Sequence, residues 1–225
     1  MSGAVAMVVG AGGGIGAALC AEIGAATGID RVIGFGRSDL DLCDEASIAR
    51  AVAGVPAGAL RLVINAAGLL HDGGQRPEKS LRDLDAGRLM RGFAVNAIGP
   101  ALLMKHVLPR LPRQGRSVFA CLSARVGSIG DNRLGGWYGY RASKAALNQF
   151  VRPAAIELAR THPEALCVAL HPGTVATRLS APFVREGQAL LSPEAAARHL
   201  LGVLNGLQAA DSGNFFDWRG APVPW

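Results

Sequence analysis

The chain has 225 residues, of which half are hydrophobic and 18% are charged. This length and composition predict a folded globular chain with a sizeable core and exclude a largely disordered one. The formal net charge is +6, but the basic residues are scattered and no dense basic run carries interleaved aromatic residues. Nucleic-acid binding therefore has little support, whereas anionic ligands are favoured.

Cysteine and histidine usage argues against disulfide bonds and metal binding. The four cysteines form no CxxC pair, and the five histidines are separated from one another. We therefore expect free thiols and no metal site. The N-terminus has no basic segment followed by an unbroken apolar run, so we expect no signal peptide, no membrane span and a cytoplasmic location.

Short apolar runs alternate with helical patterns along the whole chain. Strands are predicted at residues 4–10, 31–35, 60–65, 117–123, 166–171 and 213–216. Helices are predicted at residues 14–27, 45–52, 86–110, 139–161 and 192–205. This alternation predicts an α/β fold in which helices cover both faces of a parallel sheet. We find no linker or internal repeat, which predicts a single domain over residues 1–225.

The first predicted strand runs into a glycine-rich turn that opens the first predicted helix. Gly10, Gly14 and Gly16 give the spacing GxxxGxG, and Gly12, Gly14 and Ala17 satisfy the alanine variant of GxGxxG. Glycines let the backbone turn sharply and let a diphosphate approach a helix N-terminus. The position between a strand and a helix favours dinucleotide binding over a turn that is merely tight.

The end of the second predicted strand bears on the choice of cofactor. A carboxylate at this point would bind a ribose 2′-hydroxyl, whereas this chain has Arg37 and the hydroxyl of Ser38. A guanidinium can clamp a 2′-phosphate. We therefore predict NADP as the cofactor, with NAD as the alternative if Arg37 is only a surface residue at a strand end.

Tyr140 and Lys144 are four residues apart, which places both side chains on one face of a helix. A phenol has a pKa of roughly 10, and a fixed ammonium group nearby lowers that pKa. Tyr140 is therefore a candidate proton donor and acceptor near neutral pH. The alternative is an exposed pair whose ring packs on the core.

Taken together, these motifs resemble the short-chain dehydrogenase/reductase family over nearly the whole chain. The other matching segments are Asp41-Leu42, Asn65-Ala66-Ala67-Gly68, Asn96 within VNAIG, and residues 172–177. Residues 127–148 and 213–218 resemble its C-factor-like branch. The resemblance implies a Rossmann-type doubly wound parallel sheet in three α/β/α layers. It also implies NAD(P)-dependent oxidoreductase activity and pairing of two long helices into a homodimer or homotetramer.

The resemblance also assigns roles to individual residues. Tyr140 would be the general acid or base, Lys144 would hold the nicotinamide ribose, and Asn96 would anchor a water of a proton relay. For Asn96 the alternative is that it caps a local kink in its helix. The implied cofactor contacts are Gly10, Gly12, Gly13, Gly14, Ile15, Gly16, Arg37, Ser38, Asp41, Leu42, Asn65, Ala66, Ala67, Gly68, Tyr140, Lys144, Pro172, Gly173, Val175 and Thr177.

The chain departs from the family at the catalytic serine. That serine stands three residues before a glycine, and counting back from Gly127 places Ala124 there, one residue after Ser123. Neighbouring strand residues point to opposite faces, so Ser123 reaches the site only where the strand ends or bulges. We predict Ser123 as the substrate-oxygen donor, with Ser128 as a fallback.

A second departure is a deletion. Only three residues separate Arg37 from Asp41, too few for the helix and strand that family members have there. The third strand and its helix are therefore predicted to be missing or vestigial.

These observations predict an NADP(H)-dependent oxidoreductase that interconverts a small carbonyl compound and an alcohol. The alternative is a dinucleotide-binding sensor or signalling protein with little turnover, which is suggested by Ala124 and by a branch that includes a developmental signal protein. The short loop after Thr177 predicts a fairly open, mostly apolar pocket. Its candidate lining residues are Leu69, His71, Trp137, Leu179 and Phe183.

Overall fold

The computed structural model describes residues 3–26, 28–72, 76–184, 186–187 and 189–225. Within these residues, six parallel strands form one sheet in the order β2-β1-β3-β4-β5-β6. The strands are β1 Val5–Val9, β2 Arg31–Phe35, β3 Leu60–Asn65, β4 Ser117–Leu122, β5 Ala165–His171 and β6 Phe215–Asp217. The parallel α/β sheet predicted from the alternating pattern is confirmed.

The helices follow the predicted segments closely. They are α1 Gly14–Ala25, α2 Glu45–Ala53, α3 Ala86–Phe93, α4 Gly99–Val107, α5 Tyr138–Ala159 and α6 Pro193–Gly206. The predicted end of the first helix, Thr27, lies outside the described residues. The long helix predicted at residues 86–110 is not uniform, because a π-helical turn, Ala94–Ile98, joins α3 to α4.

Helices cover both faces of the sheet, so three α/β/α layers are present. On one face, strand residues such as Met7 and Phe119 pack against α2, α4 and α5. On the other face, Val8 and Ala120 pack against α1 and α6. All five residues of β1 are buried, as expected for a central parallel strand covered from both sides.

The predicted loss of the third strand is confirmed. Residues 36–44 connect β2 to α2 without forming a strand, and β2 is an edge strand of the sheet. Leu40 and Leu42 are buried within this connection and join the core cluster beneath α2. The connection therefore returns directly to the core.

The strand order creates a crevice at the carboxyl ends of the strands. The chain passes from β1 to β2 on one side and then to β3 on the other side of β1. Ligands of doubly wound sheets bind where the order reverses in this way. No helix in the described part of the chain is long and apolar enough to cross a membrane.

Candidate active site

The glycine turn after β1 combines tight packing with an uncovered surface. Gly10 has a φ of 87°, and a Cβ there would lie 2.7 Å from the nitrogen of Ala67. A Cβ at Gly16 would collide with the Gly10 carbonyl, whereas a Cβ at Gly12 would meet nothing within 4 Å. Any side chain larger than glycine is therefore excluded at Gly10 and Gly16, while Gly12 leaves backbone exposed at the start of α1.

This turn forms one wall of a groove of about 680 Å³ at the crevice. Most of the predicted site residues line the groove: Gly10, Gly12, Gly13, Gly14, Ile15, Gly16, Arg37, Asp41, Leu42, Ala66, Ala67, Gly68, Ser123, Tyr140, Lys144, Pro172 and Thr177. Five predicted residues do not line it: Ser38, Asn65, Asn96, Gly173 and Val175. The predicted cofactor residues of the glycine turn and the predicted catalytic residues Tyr140 and Lys144 therefore line the same groove.

Two of those five residues shape the walls. Asn65 is buried at the end of β3, and its Oδ1 accepts a hydrogen bond of 3.2 Å from the nitrogen of Ala67. Val175 is buried and forms an isolated bridge with Leu191. Asn65 and Val175 thus stabilise two segments of backbone, and nearby residues of these segments, Ala67 and Thr177, line the groove.

Ser38 and Gly173 lie close to residues that are not part of the predicted site, Asp39 and Trp218. The Ser38 hydroxyl lies 3.4 Å from Oδ1 of Asp39. Gly173 has a φ of 81°, and a Cβ there would come within 2.9 Å of the Trp218 ring. Glycine at this position therefore allows the chain after β5 to pass close to Trp218.

Asn96 lies in the π-helical turn and bridges two parts of the site. Its Oδ1 accepts a hydrogen bond of 2.7 Å from the Leu69 nitrogen, and its Nδ2 donates to the Leu69 carbonyl at 2.7 Å. The same Nδ2 donates to Ser143 Oγ at 3.1 Å. A Cβ on Gly68 would lie 3.6 Å from both Asn96 Oδ1 and Lys144 Nζ. Both polar groups therefore lie at van der Waals distance from the position that a Cβ of residue 68 would occupy.

Tyr140 and Lys144 lie in the first turns of α5 and both face the groove. Lys144 is buried, and its Nζ donates to the Leu122 carbonyl at 2.8 Å and lies 5.9 Å from the centroid of the Tyr140 ring. Burial lowers the pKa of Lys144 to about 8 and raises the pKa of Tyr140 to about 12. The prediction that Lys144 lowers the Tyr140 pKa is therefore wrong for this structure. Loss of water around the phenol dominates, and the ammonium is directed at a carbonyl.

Ser123 lies directly after the end of β4 and lines the groove. It is buried, and its hydroxyl donates to Asn148 Oδ1 of α5 at 2.7 Å. Among the described residues, Nδ2 of Asn148 is buried without a hydrogen-bond partner. The fallback residue, Ser128, is also buried, and its Oγ accepts a hydrogen bond from the Asp131 nitrogen.

Aromatic rings in edge-to-face contact extend from Tyr140 over the site. The ring centroids of Trp137 and Tyr140 are 6.2 Å apart, and those of Trp137 and Phe183 are 5.1 Å apart. His71 continues the series at 5.7 Å from Phe183. Leu69, His71 and Leu179 line the groove itself. The residues proposed for the substrate pocket are thus clustered near the Tyr140 end of the groove.

The start of α5 is held by a residue that the sequence did not indicate. Trp137 has a left-handed backbone conformation, and its side chain makes no capping hydrogen bond. Glu78, which is buried, supplies the cap: its Oε2 accepts a hydrogen bond of 3.1 Å from the Gly139 nitrogen, and its backbone carbonyl accepts one from the Trp137 nitrogen. The contact spans 61 residues, so no local capping pattern could reveal it.

Sequence reasoning also missed the polar and charged groove residues Cys43, Asp72, Arg91 and Arg178. Arg178 directly follows the predicted contact Thr177, so its position in the sequence could have indicated that it lies near the cofactor site. Arg91 belongs to α3 and carries no motif. Its place in the groove follows from the packing of that helix.

The comparisons with known proteins identify the family. The model of the short chain dehydrogenase family matches residues 35–187. C-signal of Myxococcus xanthus is 39% identical over 147 residues, which are 65% of this chain and 84% of that protein. The 1-hydroxy-2-glutathionyl-2-methyl-3-butene dehydrogenase of Rhodococcus sp. (strain AD45) is 36% identical over 142 residues, 63% of this chain and 61% of that protein. The match therefore spans less than two thirds of the second relative.

Solved structures agree with the fold. The NADPH-bound carbonyl reductase from chicken fatty liver superposes with a TM-score of 0.85 at 25% identity, covering 100% of this chain and 95% of that one. Carbonyl reductase Sniffer of D. melanogaster gives a TM-score of 0.84 at 22% identity over the full length of both chains, a likeness of fold alone. With a family match over more than half of its residues, the chain belongs to the short-chain dehydrogenase/reductase family.

Proposed function

We propose that this chain is an NADP(H)-dependent oxidoreductase that interconverts a carbonyl and an alcohol, with Tyr140 as the proton donor and acceptor. The observation that carries the proposal is that Tyr140 and Lys144 face the same groove as the glycine turn and Arg37. The relatives support it, because one is named as a dehydrogenase and one structural neighbour is an NADPH-bound carbonyl reductase.

The residues of the groove fit a dinucleotide. The bare backbone at Gly12 and the start of α1 suit a diphosphate, and the exposed Arg37 after β2 suits a 2′-phosphate. At the other end, Lys144 and Thr177 would hold the nicotinamide ribose and its neighbouring groups. When bound, the nicotinamide supplies or accepts the hydride. The remaining cofactor contacts predicted from the sequence belong to the same proposal.

Tyr140 is suited to hold the proton. Because its pKa is raised to about 12, the phenol stays protonated at neutral pH and can donate to a carbonyl oxygen that gains negative charge. The resulting phenolate would lie near the ammonium of Lys144, which is mostly charged below its pKa of about 8. Asn96, whose Oδ1 lies as close as Lys144 Nζ to the space beside Gly68, would anchor the water through which the proton is replaced.

Ser123 would supply a second hydrogen bond to the substrate oxygen. Its hydroxyl has one hydrogen, which is directed at Oδ1 of Asn148. If the Asn148 amide rotates by half a turn, its unpartnered Nδ2 donates to Ser123 Oγ instead, and the hydroxyl is released toward the groove. Asn148 would thereby compensate for the alanine at position 124.

The substitution Tyr140→Phe tests the proposal. With NADPH or NADH and a panel of aldehydes, ketones and quinones, we expect kcat/KM to fall by about 10²–10⁴ because the proton donor is lost. The Kd of NADPH, measured by fluorescence, should stay within about threefold, since tight binding does not depend on one hydroxyl. Tyr138→Phe, two residues earlier in α5, is the matched control and should keep its activity. Full activity in Tyr140→Phe would refute the mechanism.

A second candidate function is a dinucleotide-binding signalling protein with little turnover. It is favoured by Ala124 and by the 39% identity with C-signal. It predicts cofactor binding with no reduction of any compound in the carbonyl panel. A robust rate with one compound would exclude it as the main function.

We also propose that residues 1–225 act as one domain that pairs with a second copy. Large apolar side chains are exposed on α3, on the π-helical turn and on α5: Met90, Ile98, Phe150 and Ile156. Helices with such exposed residues are candidate faces for a homodimer or homotetramer. Sedimentation equilibrium measures the assembly directly, and a monomer at all micromolar concentrations would contradict the pairing.

A further inference from the structure

Arg178 reaches across the groove to the glycine turn. Its Nη2 donates a hydrogen bond of 3.3 Å to the carbonyl of Gly12, although the two residues are 166 positions apart in the chain. Both residues line the groove. Gly12 has open space where a side chain would be, so this guanidinium lies against bare backbone at the start of α1.

The backbone of Arg178 is fixed from two sides. The backbone nitrogen of the preceding residue, Thr177, donates a hydrogen bond of 3.1 Å to Ser180 Oγ, and the Ser180 hydroxyl donates to the Val175 carbonyl, which closes a tight turn. From the loop after β3, His71 Nε2 donates to the Arg178 carbonyl at 3.3 Å. The Arg178 side chain is exposed, but these hydrogen bonds fix the position of its backbone.

The charge of Arg178 is poorly neutralised. The groove is lined by the cations Arg37, Arg91, Lys144 and Arg178 and by the carboxylates Asp41 and Asp72. None of the salt bridges found among the described residues involves Arg178. A guanidinium has five N–H donors in a fork that can bind phosphate oxygens in pairs, whereas the Gly12 carbonyl offers it a single acceptor.

We propose that Arg178 binds the diphosphate of the dinucleotide, exchanging its contact with the Gly12 carbonyl for phosphate oxygens. This inference rests on the proposed function only in requiring that the chain binds a dinucleotide. It divides the anion recognition between two arginines, Arg37 after β2 and Arg178 in the loop that follows β5. Arg37 recognises the 2′-phosphate, and Arg178 recognises the diphosphate and ties the loop of residues 177–180 over it.

If the two arginines bind different phosphate groups, substituting each one should weaken the binding of different ligands. Isothermal titration calorimetry with NADPH, NADH and adenosine 2′-monophosphate measures this. Arg178→Gln should raise the Kd of NADPH and of NADH by about tenfold, since both contain the diphosphate. It should change the Kd of adenosine 2′-monophosphate by less than about twofold. Arg37→Gln should weaken NADPH and adenosine 2′-monophosphate by about tenfold and leave NADH within about twofold.

Arg133→Gln, an exposed arginine outside the groove, is the control for loss of a surface charge and should bind all three ligands normally. Thermal unfolding without ligand should be similar in all variants. If Arg178→Gln binds NADPH within twofold of the unmodified protein, the inference is wrong while the proposed function stands. Equal weakening of adenosine 2′-monophosphate would show a general disturbance of the groove and would also refute it. If the unmodified protein binds no dinucleotide, both proposals fail.

Discussion

A hydroxyl group has a single hydrogen to donate, and Ser123 directs its own at Asn148. The catalytic value of Ser123 therefore depends on which end of the Asn148 amide faces it. With the amide oxygen toward Ser123, the hydroxyl is committed. With the amide nitrogen toward Ser123, the hydroxyl is available for a substrate oxygen.

Asn148→Asp tests this dependence, because a carboxylate can only accept and keeps the Ser123 hydroxyl committed. We expect kcat to fall by at least about tenfold, since one lost donor to a developing oxyanion costs about 10²–10³ in other enzymes. The Kd of NADPH should hardly change. In a Ser123→Ala background, the same substitution should have no further effect on kcat, provided that circular dichroism shows folded protein. An equal loss in both backgrounds would mean that Asn148 does not act through Ser123.

At the scale of secondary-structure elements, the start of α5 determines where Tyr140 lies. Sequence periodicity predicted the helix to within one residue of its observed start, Tyr138, but not the means by which it begins. Trp137 lies in a left-handed conformation and offers no cap, and the capping carboxylate comes from Glu78 in a distant segment. The π-helical turn at Asn96 was considered only as a local kink, because its residues also fit an α-helical pattern.

Removing the Glu78 side chain should therefore weaken the fold at the site. Glu78→Ala leaves the buried Gly139 N–H without its acceptor at a helix N-terminus, where a missing cap costs about 1–2 kcal/mol. We expect the free energy of unfolding in urea to fall by about this amount. Glu157→Ala removes an exposed carboxylate near the other end of α5 and should change it by less than about 0.5 kcal/mol. Similar values for the two variants would argue against the capping role.

At the scale of the whole molecule, the sequence predicted the sheet, its three layers and the missing third strand. Buried parallel strands leave continuous apolar runs, and the three residues between Arg37 and Asp41 set a hard limit on length. The pKa values of the site residues could not be predicted from the sequence pattern. Spacing alone suggested a lowered pKa for Tyr140, whereas the loss of water around its side chain in the folded chain raises that pKa.

The same dependence on burial makes the stability of the molecule sensitive to pH through His171. This residue ends β5, and burial lowers its pKa from 6.5 to about 4, with repulsion from Arg125 adding to the effect and Asp217 opposing it. Above pH 6.5 the histidine is neutral in both the folded and the unfolded chain. Below that pH the unfolded chain binds the proton first, so the folded state loses stability as pH falls from 6.5 to about 4.

The loss should reach about 3 kcal/mol, and urea unfolding between pH 7.5 and about 4 measures it. His171→Gln removes the titrating group, so its stability should fall less over this range than that of the unmodified protein. His199→Gln alters an exposed histidine and should follow the unmodified protein. Acidic groups that titrate near pH 4 are common to all three proteins and cancel in the comparison. Parallel curves for the unmodified protein and His171→Gln would mean that His171 does not govern acid stability.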